Sequence, residues 1–122
     1  AYVTLNDDMW MCNRGVNELH VIDMQQLTNP KLEKTYPMQS PKGLGVDGDL
    51  LFVCDNNHLR VFDKSAPTSL QLLASFDQLQ AYDVIPYNDY LILTSMSGVS
   101  QYSYNKQTKT IQLASSILIN NQ

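Results

Sequence analysis

The chain has 122 residues, 43% of them hydrophobic, which is enough for one ordinary folded domain. Its apolar residues come in short runs such as residues 50–53 and 90–93, far below the roughly 20 residues that a membrane-spanning helix requires. With a net charge of −4 and 8 basic residues scattered singly, it has no positive stripe for a nucleic-acid backbone. We therefore expect no transmembrane segment and no nucleic-acid partner. The chain begins at Ala1 without a basic or apolar leader, so we expect any targeting segment to have been removed or to lie upstream.

The first predicted unit contains strands over residues 2–4, 19–23 and 32–36. Residues 19–23 read LHVID, an alternating apolar pattern that is closed by Asp23. A polar turn that ends in TNP at residues 28–30 separates this strand from the next. The stretch between the first two strands, residues 5–17, is predicted to be an inserted loop, and it contains Trp10, Cys12 and Arg14.

The second unit repeats this pattern 40 positions later. Its predicted strands cover residues 44–46, 52–54, 59–63 and 70–76. Residues 59–63 read LRVFD, and Asp63 follows Asp23 by 40 positions. An APT turn at residues 66–68 takes the place of the TNP turn, so the two units match from LHVID onward without a gap.

The third unit is a looser copy, with strands predicted over residues 82–85, 92–94, 99–104 and 111–117. Residues 92–94 again follow residues 52–54 by 40 positions. Gln101 and Ser103 stand where the pattern has a β-branched residue and Asp, which weakens the prediction for the outer strands of this unit. No segment keeps a helical periodicity, so the chain is predicted to be all-β.

A period near 40 residues with four short strands per unit is typical of a β-propeller blade. We predict between two and three blades of four antiparallel strands, in approximate units 1–38, 39–78 and 79–122, with the first blade lacking its innermost strand. A β-sandwich would not require matching units, and a solenoid usually has shorter rungs. Because a propeller usually needs at least four blades, we expect other blades of a longer chain, or a homo-oligomer, to complete the ring.

The sequence contains no recognisable catalytic, cofactor or metal motif, so we expect a protein that is not an enzyme. Residues 43–48 spell GxGxxG, but a strand follows instead of a helix, which favours close packing and a tight turn over nucleotide binding. His20 and His58 do not have the spacing of a ligand pair. The aspartates at residues 7–8 and 47–49 are interpreted as turn residues, since neither group has the carboxylate density of a calcium loop.

The LHVID and LRVFD segments, each preceded by a strand with an aromatic residue and Val, resemble the LVIVD repeat. The resemblance extends over nearly the whole chain and includes GLGVDG at residues 43–48 and AYDVIP at residues 81–86, which are similar to segments of lipoprotein-like members. It implies a bacterial protein that is secreted or anchored at the surface, and most proteins with these repeats have no assigned activity. We therefore expect an extracytoplasmic location, at the cell surface or anchored to the outer membrane.

Two classes of function remain open. The first is a non-enzymatic binding or scaffold module of a cell-envelope protein. The second is part of the shell of a propeller enzyme, or of a carbohydrate-binding protein, whose site is completed by other blades. Protein and glycan ligands are both compatible with the sequence, and the candidate partner-binding residues are Trp10, Arg14, Lys42, Tyr82 and Asp83.

These candidates come from two places in the predicted fold. Lys42 and the Tyr82–Asp83 pair lie where innermost strands begin, near the mouth of a propeller channel. Trp10 and Arg14 lie in the inserted loop, which is predicted either to recognise a partner or to cover an apolar edge.

Cys12 and Cys54 lack the spacing of a zinc site or a redox pair. They are either buried small hydrophobic residues or one disulfide. The extracytoplasmic setting that the resemblance implies, together with the proximity of the two positions in neighbouring blades, favours a Cys12–Cys54 disulfide as a hypothesis.

Overall fold

The structure, a computed structural model, describes residues 2–5, 8–26 and 28–118, and for residues 2–5 the backbone only. Within these ranges every regular element is a β-strand, and no helix long and apolar enough to cross a membrane occurs there. The strands form three four-stranded antiparallel sheets, in each of which consecutive strands are neighbours. The predicted all-β class is confirmed.

Sheet 1 consists of β1 (Tyr2–Leu5), β2 (Asp8–Asn13), β3 (Glu18–Asp23) and β4 (Lys31–Pro37). Sheet 2 consists of β5 (Pro41–Asp47), β6 (Leu50–Asp55), β7 (His58–Asp63) and β8 (Gln71–Asp77). Sheet 3 consists of β9 (Asp83–Tyr87), β10 (Tyr90–Ser95), β11 (Gly98–Asn105) and β12 (Thr110–Leu118). The three sheets fall within residues 1–38, 39–78 and 79–122, and the outer strands of the third unit are formed.

Sheet 1 differs from its sequence-based prediction. Residues 8–13 are not part of an inserted loop, because they form β2, which pairs with β1 on one side and with β3 on the other. The first sheet therefore has four strands, as the other two have, and the prediction that it lacks one of them was wrong. Trp10 pairs with Val21 as Phe52 pairs with Val61, so the second strands of sheets 1 and 2 are equivalent. The true insertion is confined to the β2–β3 turn, and it hid this equivalence by changing the repeat period locally.

Two hydrophobic cores lie between the sheets. The core between sheets 1 and 2 is formed by Trp10, Cys12, Leu19, Val21, Leu44, Leu51, Val53 and Phe62. The core between sheets 2 and 3 is formed by Phe52, Cys54, Leu59, Val61, Ala81, Val84, Leu91 and Leu93. Successive side chains of a strand point to opposite faces, so β6 sends alternate residues into the two cores. Sheet 2 is thus covered on both faces.

Strand β5 packs directly against β9 at two glycines. A Cβ atom on Gly43 would overlap the carbonyl oxygen of Tyr82, and one on Gly45 would lie 2.6 Å from the carbonyl oxygen of Val84. Gly48 has a φ of 59° in the turn that leads to β6. The interpretation of these glycines as close packing and a tight turn is confirmed.

Asp55, at the end of β6, holds the link between sheets 1 and 2. Its side chain is buried, and its Oδ1 accepts hydrogen bonds from the amides of Gln39 at 2.9 Å and Ser40 at 2.7 Å. Its Oδ2 accepts a hydrogen bond from Nε of Arg60 at 2.9 Å. A buried carboxylate is tolerated here because backbone and guanidinium donors replace its water.

We expect Gly45→Ala to lower the free energy of unfolding by about 2–3 kcal/mol, because the new methyl group meets the backbone of β9 and cannot be accommodated by a rotamer change. Urea unfolding followed by circular dichroism measures the effect. Gly15→Ala is the matched control, since a Cβ there meets only the side chain of Asn13, at 3.3 Å, in an exposed turn. Equal stability of both variants would contradict the close approach of β5 and β9.

We expect Asp55→Ala to lower the free energy of unfolding by about 3 kcal/mol, because it leaves the Arg60 guanidinium and two linker amides without their acceptor. Asp77→Ala is the control, since Asp77 is an exposed carboxylate paired with His58. Its loss should cost less than about 1 kcal/mol. Chemical denaturation compares the two, and a similar cost for both would show that Asp55 does not organise the linker.

Candidate functional site

The structure brings together three of the five candidate binding residues. Lys42 on β5 lies with its Nζ 5.2 Å from the ring centroid of Tyr82, which precedes β9. Asp83 begins β9, and its Oδ1 accepts a hydrogen bond from the Val84 amide at 2.9 Å. Arg14 is exposed in the β2–β3 turn of sheet 1. Lys42 and Tyr82 are therefore the two candidate residues whose side chains meet, and the candidate site is described around them.

Trp10 is not available for recognition. Its side chain is 1% exposed, in the core between sheets 1 and 2. Residues 8–13 of the inserted loop that was predicted to present it form strand β2 instead, so the prediction that this segment exposes Trp10 was wrong. Residues 6 and 7 of the segment lie outside the described part of the chain.

A cleft of about 640 Å³ opens beside the Lys42–Tyr82 pair, between sheets 2 and 3. Its walls come from the start of β5, the β6–β7 turn, the linker from sheet 2 to sheet 3, and the β10–β11 hairpin. Its polar side chains are Lys42, Asn57, Gln78, Gln80, Tyr82, Ser95, Ser97, Ser100 and Tyr102. Its apolar side chains are Leu79, Ala81, Leu93 and Met96. Asp83 does not line the cleft, because its carboxylate packs against β5 at Gly43.

Backbone hydrogen bonds hold the linker that carries Tyr82. The Leu79 amide donates to the Asn57 carbonyl at 2.9 Å, which ties the linker to the β6–β7 turn. The Tyr82 amide donates to the Thr94 carbonyl at 2.7 Å, which ties it to the end of β10. Tyr82 is thereby fixed between two sheets, although its side chain remains 45% exposed.

Sequence reasoning missed the serines and asparagine of the cleft. Asn57 and Ser97 lie in the turns that follow the second strands of sheets 2 and 3, and they are 40 positions apart. Arg14 lies in the corresponding turn of sheet 1. The 40-residue spacing of Asn57 and Ser97 could have identified them as neighbours, because equivalent turns of successive sheets lie at the same edge of the fold.

Three carboxylates of sheet 1 form a separate acidic cluster. Asp8 on β2, Asp23 on β3 and Glu33 on β4 have oxygen atoms within 4.8 Å of one another. A hydrogen bond to Asp8, followed by burial and the neighbouring charges, raises the pKa of Glu33 to about 7. Asp8 opens a strand and is not the turn residue that was predicted, while Asp7 lies outside the described residues.

The two histidines lie on different sheets and do not meet. His20 Nε2 is 3.1 Å from Glu18 Oε1 on β3, and His58 Nδ1 is 2.7 Å from Asp77 Oδ1 between β7 and β8. Each imidazole therefore pairs with a carboxylate of its own sheet.

Cys12 and Cys54 are free thiols, so the expected disulfide is not formed. The register of β2 and β6 makes them equivalent positions on successive sheets, and each side chain enters a different core. Burial raises the pKa of Cys12 to about 11 and that of Cys54 to about 12. They are buried small hydrophobic residues, the other alternative that the sequence left open.

Residues 41–78, which contain all four strands of sheet 2, match the family described as LVIVD repeat. Residues 41–78 are therefore similar to an LVIVD repeat. The match includes LRVFD at residues 59–63 and supports the resemblance to this family, while LHVID at residues 19–23 lies outside the matched range. No curated protein matches the chain in sequence.

Two solved structures share the fold of the chain. A functionally unknown protein from Desulfotomaculum acetoxidans is 14% identical, with a TM-score of 0.75 over 94% of this chain and 41% of that one. The N-terminal domain of Nup159 is 13% identical, with a TM-score of 0.58 over 98% of this chain and 30% of that one. The chain thus spans less than half the length of either structure. At these identities the likeness concerns the fold alone.

We expect both thiols to react with Ellman's reagent far more slowly in the native protein than after unfolding in guanidinium chloride. The reason is that burial blocks access and keeps the thiols protonated at mildly alkaline pH. Absorbance should then report two thiols per chain after unfolding. A non-reducing mass two hydrogens lighter than that of the dithiol would contradict the free thiols.

Proposed function

We propose that the three sheets are consecutive blades of a β-propeller. Three observations support this: each sheet is a four-stranded meander, the first strands of neighbouring sheets contact each other, and apolar cores fill the spaces between sheet faces. The likeness to two longer solved structures is a further support. In this proposal the remaining blades come from more chain or from a second copy.

We propose that this propeller segment is a non-enzymatic binding module. The cleft between sheets 2 and 3 carries the proposal, because its volume of about 640 Å³ is in the range of small-molecule sites and residues with hydroxyl and amide side chains line it. Among the described residues its wall has no carboxyl, thiol or imidazole side chain. Its serine, tyrosine, amide and lysine side chains can all hydrogen-bond a polar ligand, which supports binding as the proposed role.

We further propose that the module belongs to a bacterial cell-envelope protein and acts outside the cytoplasm. The support is the LVIVD repeat at residues 41–78 together with the extracytoplasmic setting that the resemblance implies. Its ligand would then be a component of the envelope or of its surroundings, and a saccharide is a polar ligand whose hydroxyl groups suit a cleft lined by hydroxyl and amide side chains.

We expect soluble cell-wall polysaccharide fragments to shift the backbone amide resonances of Gln80, Tyr82 and Ser97 in a ¹⁵N-labelled sample, because these residues line the cleft. Ser100→Phe should abolish the shifts by filling the cleft from β11. Ser69→Phe, in an exposed turn of sheet 2 outside the cleft, should leave them unchanged. Shifts confined to the acidic cluster of sheet 1, or none in either sample, would contradict the cleft as the binding site.

A further inference from the structure

We propose that the cleft between sheets 2 and 3 binds an acidic saccharide, with Lys42 pairing the sugar carboxylate and Tyr82 packing against the sugar ring. This inference rests on the proposed binding function and names the ligand class of the same site.

The charge of the cleft points to an anion. Lys42 is the one charged side chain among the described residues of the wall. In the described part of the chain its Nζ forms no ion pair, whereas Arg60 on β7 of the same sheet is bound to Asp55. The Tyr82 ring, 5.2 Å from Nζ, holds the ammonium group at the wall by a cation–π contact. A single positioned ammonium group suits a single carboxylate and gives too little charge for a polyphosphate.

The remaining groups point to a sugar as the carrier of that carboxylate. Ser95, Ser97 and Ser100 line the cleft from the β10–β11 hairpin, where the hydroxyls of Ser95 and Ser97 lie 3.1 Å apart, and Gln80 lines it from the linker. Hydroxyl and amide side chains both donate and accept hydrogen bonds, as the hydroxyl groups of a sugar do. The half-exposed ring of Tyr82 adds an apolar surface with a polar tip, which suits the C–H face of a pyranose ring.

Isothermal titration calorimetry with three probes tests the proposal: a hexuronate trisaccharide, the neutral hexose trisaccharide of the same linkage, and sodium acetate. We expect the uronate to bind at least about tenfold more tightly than the neutral trisaccharide, which is the effect of one charge-assisted hydrogen bond. Acetate should bind much more weakly than either, because it cannot contact Tyr82 and the serines. Rising salt should weaken only the binding of the uronate.

Two variants assign the roles of the residues. Lys42→Met should reduce uronate affinity about tenfold and leave neutral trisaccharide affinity unchanged, whereas Tyr82→Leu should weaken both. Lys31→Met is the matched control, since it removes the same charge from an exposed position on β4, outside the cleft. Unfolding curves of each variant show whether it is folded, and Lys42→Gln gives a second neutral variant if Lys42→Met is unstable.

The outcomes separate this inference from the proposed function. Equal binding of uronate and neutral trisaccharides, with no effect of Lys42→Met, overturns the acidic-saccharide assignment and leaves a saccharide-binding module. Acetate that binds as tightly as the uronate overturns the sugar assignment in favour of a bare carboxylate site. Absence of binding by all three probes overturns the inference, and the proposed function fails as well only if the cell-wall fragments also leave the cleft amides unshifted.

Discussion

The close approach of β5 to β9 is the contact on which the rest of the structure depends. Gly43 and Gly45 present no side chain to β9, so the two strands meet almost backbone to backbone. This contact brings the faces of sheets 2 and 3 together and closes the core that contains Phe52 and Leu91. It also places Lys42 beside Tyr82. The stability of the interface and the geometry of the cleft therefore come from one steric constraint.

The two junctions between sheets contain equivalent hydrogen bonds, so the walls of the cleft follow from the repeated structure. The Met38 amide donates to the Asn17 carbonyl at the first junction as the Leu79 amide donates to the Asn57 carbonyl at the second, both at 2.9 Å. Within sheet 3, Tyr104 on β11 donates a hydrogen bond to Asp47 of sheet 2, which lowers the pKa of Asp47. Sheet 2 is thus attached both to the linker that leads to sheet 3 and to β11 of sheet 3.

The strand predictions from sequence were right where the 40-residue spacing between equivalent strands holds, and wrong where an insertion changes it. LHVID and LRVFD are 40 positions apart, and the segments that follow them up to Tyr36 and Phe76 have equal lengths. The strands in these parts of the chain were predicted correctly. Before LHVID the longer β2–β3 turn changes the offset between equivalent strands, and residues 8–13 were mistaken for a loop. Trp10 was consequently assigned to the surface, although it pairs in register as Phe52 does and fills a core.

The sequence by itself determined the all-β class, the repeat and the role of Gly43 and Gly45, because alternation and glycine placement are local properties of the chain. Only the tertiary structure decided that Cys12 and Cys54 enter different cores and that Lys42 meets Tyr82 across two sheets. Alternation defines two faces of a strand, but the residues that a face meets depend on which sheet is stacked against it. Those contacts join residues about one repeat apart, and their geometry arises only when the sheets pack.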